Sequence, residues 1–405
     1  MKRQRGRRAT GLANDERILD AAVALLDDLG VDGLTVAEVV RSAGLTTGAF
    51  YARYDDLPEL LADLWERRIV AAVGELADLA ASVRDTWPDL DAGLLAQLLE
   101  STPERRIGFE LLCVTVRIDE LADVVPRTLE EMLGHSGLAR GERNERDPIG
   151  IALLGLALGS AGHTRVDGSL QADASSIARW LHTGSEHVWQ SPASILRTQP
   201  LESFVTQRAD TTLSETELRR PRLMDAAVSV IARTGVRRAN LRRISRAAGY
   251  SHSAVYEEYD SMRALLLDLL RMFKQRRLAT TDERRQFMDA DREGAWLSGL
   301  LSPTAHTLRR LSFELLVIAS HDEEFRAVFA ETDRDLIEAI ATLVAGEATS
   351  ARSIVSRHRY IRRDLAFGLA AIEECVGGLA ALDWRPVVGG LLLGSLQDAG
   401  IPTSA

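Results

Sequence analysis

The chain repeats itself. Sliding it by 205 positions lays "RILDAAVALLDDLGVDGLTVAEVVRSAGLTTGAFYARYDDLPELL", from Arg17, over "RLMDAAVSVIARTGVRRANLRRISRAAGYSHSAVYEEYDSMRALL", from Arg222. Sixteen of these 45 positions are identical, and most other apolar positions stay apolar. Further on, "ERRIGFELL" at 104 answers "LRRLSFELL" at 308, a shift of 204. A duplication at so nearly constant a spacing requires an architecture that divides into two like halves. With 405 residues there is room for two domains, each with its own core. The stretch 191–213, rich in Ser, Thr and Pro, reads as the linker, and Ser214 with Glu217 supplies a capping box for the helix after it.

Within each copy the apolar spacing is helical. Ile18, Ala21, Ala22, Leu25, Leu26 and Leu29 make one stripe, closed by Gly30 as a C-cap. Thr35 then caps a short helix with Val36, Val39 and Val40 facing inward, and "AGL" at 43 to 45 turns the chain. Thr46 starts a third helix, expected to run through Tyr54. The same offsets give Asn240 as cap, Leu241 and Ile244 inward, "AGY" as turn and Ser251 as the next start. Two short helices around a Gly-containing turn are a helix-turn-helix. Long amphipathic stretches after Leu57 and Met262 predict helical bundles, and β-branched residues rarely alternate with polar ones. The expected fold is all-α. The first head spans 1–60, its bundle 61–190, the second head 214–265 and its bundle 266–405.

The formal charge of -10 argues at first against a nucleic-acid partner. Placement matters more than the sum, because salt confines a charge's field to about 8–10 Å. "MKRQRGRR" opens the chain with five positive side chains, and "RRPR" at 219 to 222 precedes Arg237, Arg238, Arg242, Arg243 and Arg246. Basic charge therefore marks the start of each half. Cys113 and Cys375 sit in apolar runs and read as buried, reduced thiols. The basic start is followed by no apolar core with a cleavage site, and the most apolar run, from Ile149, is too short to span a bilayer. The expectation is a cytoplasmic protein without membrane association.

These residues resemble the TetR-type transcriptional repressors, whose signature joins R-x-x-I-L-x-A-A, a Gly, T-x-x-x-I-A and A-G-V-S-x-G-x-x-Y-x-H-F. The first copy follows that frame closely and the second more loosely. The resemblance implies a recognition helix in the major groove of double-stranded DNA, with neighbouring groups on phosphate. Carried over position by position, it assigns Thr35, Thr46, Thr47 and Gly48 to the groove end, Tyr51 to a phosphate, and Arg53 to the place where histidine is usual. The arm residues Lys2, Arg3, Arg5, Arg7 and Arg8 resemble arms that enter an adjacent minor groove. In the second copy the corresponding set is Asn240, Arg242, Ser251, His252, Ser253 and Tyr256. Any one of these side chains could equally be solvated helix surface, while Phe50 and Tyr54 read as packing residues. The family's phosphate-binding lysine is Leu57 in one copy and Met262 in the other, with Arg263 as a candidate substitute. Glu257 and Glu258 stand where phosphate would be met, and the arginines at 237, 238, 242 and 243 are expected to offset them.

Fusion of two protomers frees the two tips to differ, which implies a regulator acting on an asymmetric or imperfectly palindromic operator. The stretches 147–167 and 363–383, rich in small residues and leucine, are expected to pair as an intramolecular pseudo-dimer interface, with Glu373 and Glu374 on its solvent edge or, alternatively, in a pocket or buried pair. By resemblance a bundle encloses a small, largely apolar inducer, with Trp65, Trp87, Trp180, Trp189, Trp296 and Trp384 as candidate walls, although an aromatic in a helical bundle is more often core than ligand contact. No cofactor or catalytic motif is legible: there is no phosphate-binding glycine loop and no Cys-x-x-Cys, and His182 and His187 are five apart, wrong for a metal pair on one helix face. Two rivals remain open at this point. In one the second head is structural and two chains pair, and in the other a helical carrier or enzyme keeps the head fold without binding DNA.

Overall fold

In the computed structural model, which describes residues 2–140, 145–167, 173–187, 215–279 and 289–402, each copy opens with three helices whose ends are set by single residues. Side chains are described throughout these stretches except at 2–12, 140, 145, 215–217 and 273–279. Helix α1 (Lys2–Gly33) buries Ile18, Ala21, Ala22 and Leu26 and breaks its helical geometry at Gly30. Helix α2 (Val36–Ala43) begins at Thr35, whose Oγ1 accepts from Glu38 N at 3.2 Å and donates to Glu38 Oε2 at 2.7 Å. It stops at Gly44, whose φ of 62° lies in the left-handed region that a β-carbon disfavours. Helix α3 (Thr47–Tyr51) is capped by Thr46 and ends three residues short of Tyr54. It ends there because Tyr54 turns into the core, its hydroxyl donating to Asp63 at 2.6 Å.

The second copy repeats this with different caps. Helix α11 (Glu215–Thr234) is followed by α12 (Leu241–Ala247), where Asn240 accepts from Arg243 N at 2.9 Å, and by α13 (His252–Tyr256), capped by Ser251. Gly249 makes the same turn at φ 78°. Tyr259 donates to Asp268 just as Tyr54 does to Asp63. The linker 191–213 and the Ser214 side of the capping box lie outside the described residues.

In the first half α4 (Leu57–Leu64) passes through one wide turn into α5 (Val70–Arg84), followed by α6 (Ala92–Leu98), α7 (Pro103–Val114), α8 (Asp119–His135), α9 (Pro148–His163) and α10 (Ala174–Ser185). The second half has α14 (Met262–Ala279), α15 (Ala290–Leu301), α16 (His306–His321), α17 (Glu323–Ala345), α18 (Thr349–Val376) and α19 (Gly390–Asp398). Among the described residues the one extended pairing is Ala139–Arg140 against Glu145–Arg146. No helix of the described residues is long and apolar enough to cross a membrane.

The halves meet as expected along the two small-residue stretches: α9, buried from Gly150 to His163, packs on α18. The backbones touch. A β-carbon at Gly159 would fall 1.8 Å from Asp364 O, and one at Gly368 would fall 1.7 Å from Gly155 O. A second layer, not foreseen from the sequence, is α10 on α19, where a β-carbon at Gly184 would lie 2.1 Å from Gly390 Cα. Both layers bury one half against the other along helix pairs, the arrangement of a four-helix contact.

One expectation needs correction here. Glu374 is not on a solvent edge: its side chain is 2% exposed, bonded by Arg309 Nε at 2.6 Å and faced by His306 at 2.8 Å. Glu373 beside it accepts from Leu379 N at 2.6 Å. Most of the tryptophans are structural. Trp65, Trp180 and Trp384 are sealed in the core with their indole N–H groups on Thr128, Asp398 and Leu379 O respectively, whereas Trp296 faces a cavity. Trp87 packs partly buried against the core, and Trp189 lies outside the described residues. Cys113 and Cys375 are free thiols, and burial pushes both upward, Cys375 to about 12.

Candidate nucleic-acid interface

The two heads expose matching surfaces. Thr46, Thr47 and Gly48 are exposed at the start of α3, as are Ser251, His252 and Ser253 at the start of α13. Of the large apolar side chains, Tyr51 is 56% exposed and Tyr256 is 48% exposed, one at the same position of each head. A single exposed aromatic is ordinary on a protein surface, but this pair recurs at the same place after duplication. A β-carbon at Gly48 would meet nothing nearer than Thr46 Oγ1 at 3.8 Å, so no internal contact requires glycine there. His252 stands edge-on to Tyr256, ring centroids 4.8 Å apart, and Ser251 and Ser253 hydroxyls lie 2.9 Å from each other. Thr35 and Asn240 hold corresponding exposed positions at the preceding helix starts, and Arg242 is exposed beside Asn240. The backbone of Lys2, Arg3, Arg5, Arg7 and Arg8 continues α1, and their side chains lie outside the described ones.

Charge around the tips is arranged differently from what spacing suggested. Arg53 is tied to its own head, Nε 3.3 Å from Asp15 and a terminal nitrogen 3.4 Å from Asp63, with its guanidinium over Tyr54. In the second head the acidic pair is met by Arg219, which bonds Glu257 and lies 4.0 Å from Glu258. The arginines at 237, 238, 242 and 243 were expected in that role; Arg243 instead donates to Arg238 O at 2.7 Å. Arg219 was missed because it precedes the pair by 38 residues and meets it only through the packing of α11. Arg263 does not replace the family lysine, because it grips Asp322 and Glu324 at 2.5–2.9 Å. Arg17 and Arg222, one repeat apart, brace the two turns, reaching Gly44 O and the Tyr250 hydroxyl.

Each head is fastened to the bundles by a buried carboxylate. Glu110 accepts from Val31 N at 2.7 Å, and Glu314 accepts from Val236 N at 2.8 Å. The opposite half supplies a cation to each. His321 Nε2 lies 2.7 Å from Glu110 while its Nδ1 lies 3.2 Å from Asp28 O, so both ring nitrogens face acceptors, as an imidazolium requires. Arg117 Nε lies 3.0 Å from Glu314, an ion pair too bent to be a hydrogen bond, and its terminal nitrogens donate to both Asp32 oxygens at 2.9 Å. Arg117 and His321 occupy corresponding places in "ERRIGFELL" and "LRRLSFELL" counted forward, again 204 apart. The legible signal was a glutamate kept inside an apolar run in both copies.

Both heads match the same family model, described as bacterial regulatory proteins of the tetR family, over residues 18–64 and 223–269. The chain is 35% identical over 104 residues to the HTH-type transcriptional regulator AcrR of Shigella flexneri, covering 24% of this chain and 46% of that protein. It is 40% identical over 58 residues to the HTH-type transcriptional regulator AqdR of Rhodococcus erythropolis, covering 14% of this chain and 28% of the relative. The chain thus spans less than half the length of the curated relatives it matches. The family's head is matched twice on a helical frame, once in each half of the chain.

Proposed function

We propose that the protein is a DNA-binding transcriptional regulator whose heads read two non-identical half-sites. The observation that carries this is the paired exposure of Tyr51 and Tyr256 beside two different tips, Thr46-Thr47-Gly48 and Ser251-His252-Ser253. Thr47 and His252 reach base edges in the major groove, while Tyr51, Tyr256, Thr35 and Asn240 meet phosphates that fix the register. The basic arm Lys2 to Arg8 adds sequence-independent affinity. Occupation of a bundle by a small molecule changes DNA affinity by binding one head spacing better than another, and release of the operator makes the protein a repressor.

Selection of bound fragments from genomic DNA, followed by footprinting, tests the reading. An operator with two unlike halves is expected, with affinity falling steeply as salt rises. Tyr51→Phe removes one phosphate contact, about 1 kcal/mol or a roughly fivefold loss. Thr47→Ala and His252→Ala should each cost about 1–3 kcal/mol and relax specificity in different half-sites. Arg219→Ala should weaken the second half-site by roughly fivefold, by freeing Glu257 and Glu258 to repel phosphate. One observation favours a rival in which the second head is structural: the Glu257 side chain is 63% exposed. If His252→Ala leaves affinity unchanged while Thr47→Ala lowers it, that rival stands.

A further inference from the structure

The second bundle holds a narrow cavity of about 90 Å³ between α15, α16, α17 and α18. One part of the wall is apolar, with Phe313, Leu336 and Ile340. The remainder is cationic: four guanidinium groups, of Arg309, Arg359, Arg362 and Arg363, line it with a single carboxylate, Asp333. Arginines so enclosed cost several kcal/mol each to desolvate and persist only where something negative faces them.

The carboxylates that do face them lie mostly outside the cavity wall. Arg309 is committed to Glu374 and to the carbonyls of Leu300 and Ser302, at 2.6–2.8 Å. Arg363 bonds Asp333 at 2.7 Å and Asp364 at 2.8 Å. Arg359 and Arg362 share Glu293, 1% exposed, Arg359 reaching it at 3.2 Å. Arg362 also lies flat on Trp296, its central carbon 3.4 Å from the ring centroid, so an indole shields the guanidinium from water at the cavity's edge. A buried imidazole, His358, stands next door, and its shift is set first by its burial. Burial, Arg359 and Arg362 together push it down to about 3 against the pull of Glu293. By count, Arg359 and Arg362 exceed Glu293 by one charge, while Arg309 and Arg363 are met by Glu374, Asp333 and Asp364.

The first half does not repeat the chemistry. Carrying the repeat shift of 205 forward sets Ala157, Leu158 and Gly159 where α18 carries Arg362, Arg363 and Asp364.

We propose that this cavity binds one amphipathic organic anion per chain, its carboxylate-type group on Arg359 and Arg362 beside Trp296 and its apolar body along Phe313, Leu336 and Ile340. The inference rests on the regulator reading above and sharpens its ligand from a neutral hydrophobe to an acid. Only the second bundle then senses, and its signal reaches both heads through α18.

Calorimetric titration of the full chain, without DNA, with decanoate, decanol and decylammonium separates the cases. Decanoate is expected to bind once per chain and at least tenfold tighter than decanol, with no saturable binding of decylammonium. Arg362→Gln should bring decanoate down to the decanol level and leave decanol unchanged, and Leu336→Trp, which fills the apolar end, should abolish both. Where Arg362→Gln fails to fold by circular dichroism, Arg359→Gln serves the same comparison. Equal affinity for decanoate and decanol, tighter binding of decylammonium, or decanoate binding indifferent to Leu336→Trp overturns the proposal. Decanoate binding with the stated selectivity in a protein that retains no genomic fragment would overturn the regulator reading and leave the site standing.

Discussion

Gly368→Val will pry the two halves apart. The β-carbon it adds would sit 1.7 Å from Gly155 O and 2.6 Å from Gly155 C, and those are backbone atoms that no rotamer change can move. Overpacking a yielding core costs about 1–3 kcal/mol, so a clash that must displace a whole helix should cost at least ~3 kcal/mol. Urea unfolding should show an earlier midpoint, and the single cooperative transition expected of halves that share a core should split in two. Gly134→Ala is the matched control, since a β-carbon there meets nothing within 4 Å and the substitution should gain a few tenths to ~1 kcal/mol. Unchanged unfolding of Gly368→Val would mean that α9 and α18 do not cross where they are drawn.

Glu110→Ala is expected to have the next largest effect. It strands Val31 N–H and the His321 ring inside the head–bundle junction, and breaking a buried pair in this way costs about 3–5 kcal/mol. The junction also has a proton signature. Burial pulls the His321 pKa down, but the hydrogen bond to Glu110 outweighs it and the folded value is raised above the ordinary 6.5. The folded protein therefore holds this proton more tightly than the unfolded chain. The stabilisation is whole below about pH 6.5 and is lost as pH climbs through the folded value. The stability difference between the wild type and His321→Gln, measured by urea unfolding, should be largest near pH 6 and shrink toward pH 9. The difference is the useful quantity because burial pushes the Asp364 carboxyl up to about 6, so its contribution drifts the same way. At the other junction burial already raises the Glu314 carboxyl and Arg117 holds it down, so the corresponding Arg117→Gln difference should run the other way and grow as pH rises. A flat His321→Gln difference would show that the ring is not an imidazolium in the folded state.

What the sequence disclosed was local. Thr35, Thr46, Asn240 and Ser251 are caps that act within three residues, and spacing alone located all four. The pairing of α9 with α18 was visible because glycine and alanine at a helix crossing leave a compositional mark. Partners far apart in the chain left no such mark. Arg219 on the Glu257 and Glu258 pair, Arg263 on Asp322, and His321 on Glu110 are ion pairs between groups that look solvated when read in line. Glu374 misled for the same reason: a glutamate interrupting an apolar run resembles an edge residue until Arg309, 65 residues earlier, is brought against it. The contact role proposed for Thr47 and His252 rests on resemblance, since exposure leaves a base-reading side chain and a solvated one alike.

The crossing of α9 over α18 joins segments of one polypeptide. Association of separate protomers obeys mass action and fails at low enough concentration, whereas this union is first-order and indifferent to dilution. The two halves of a lone copy are as fully paired as those of a thousand.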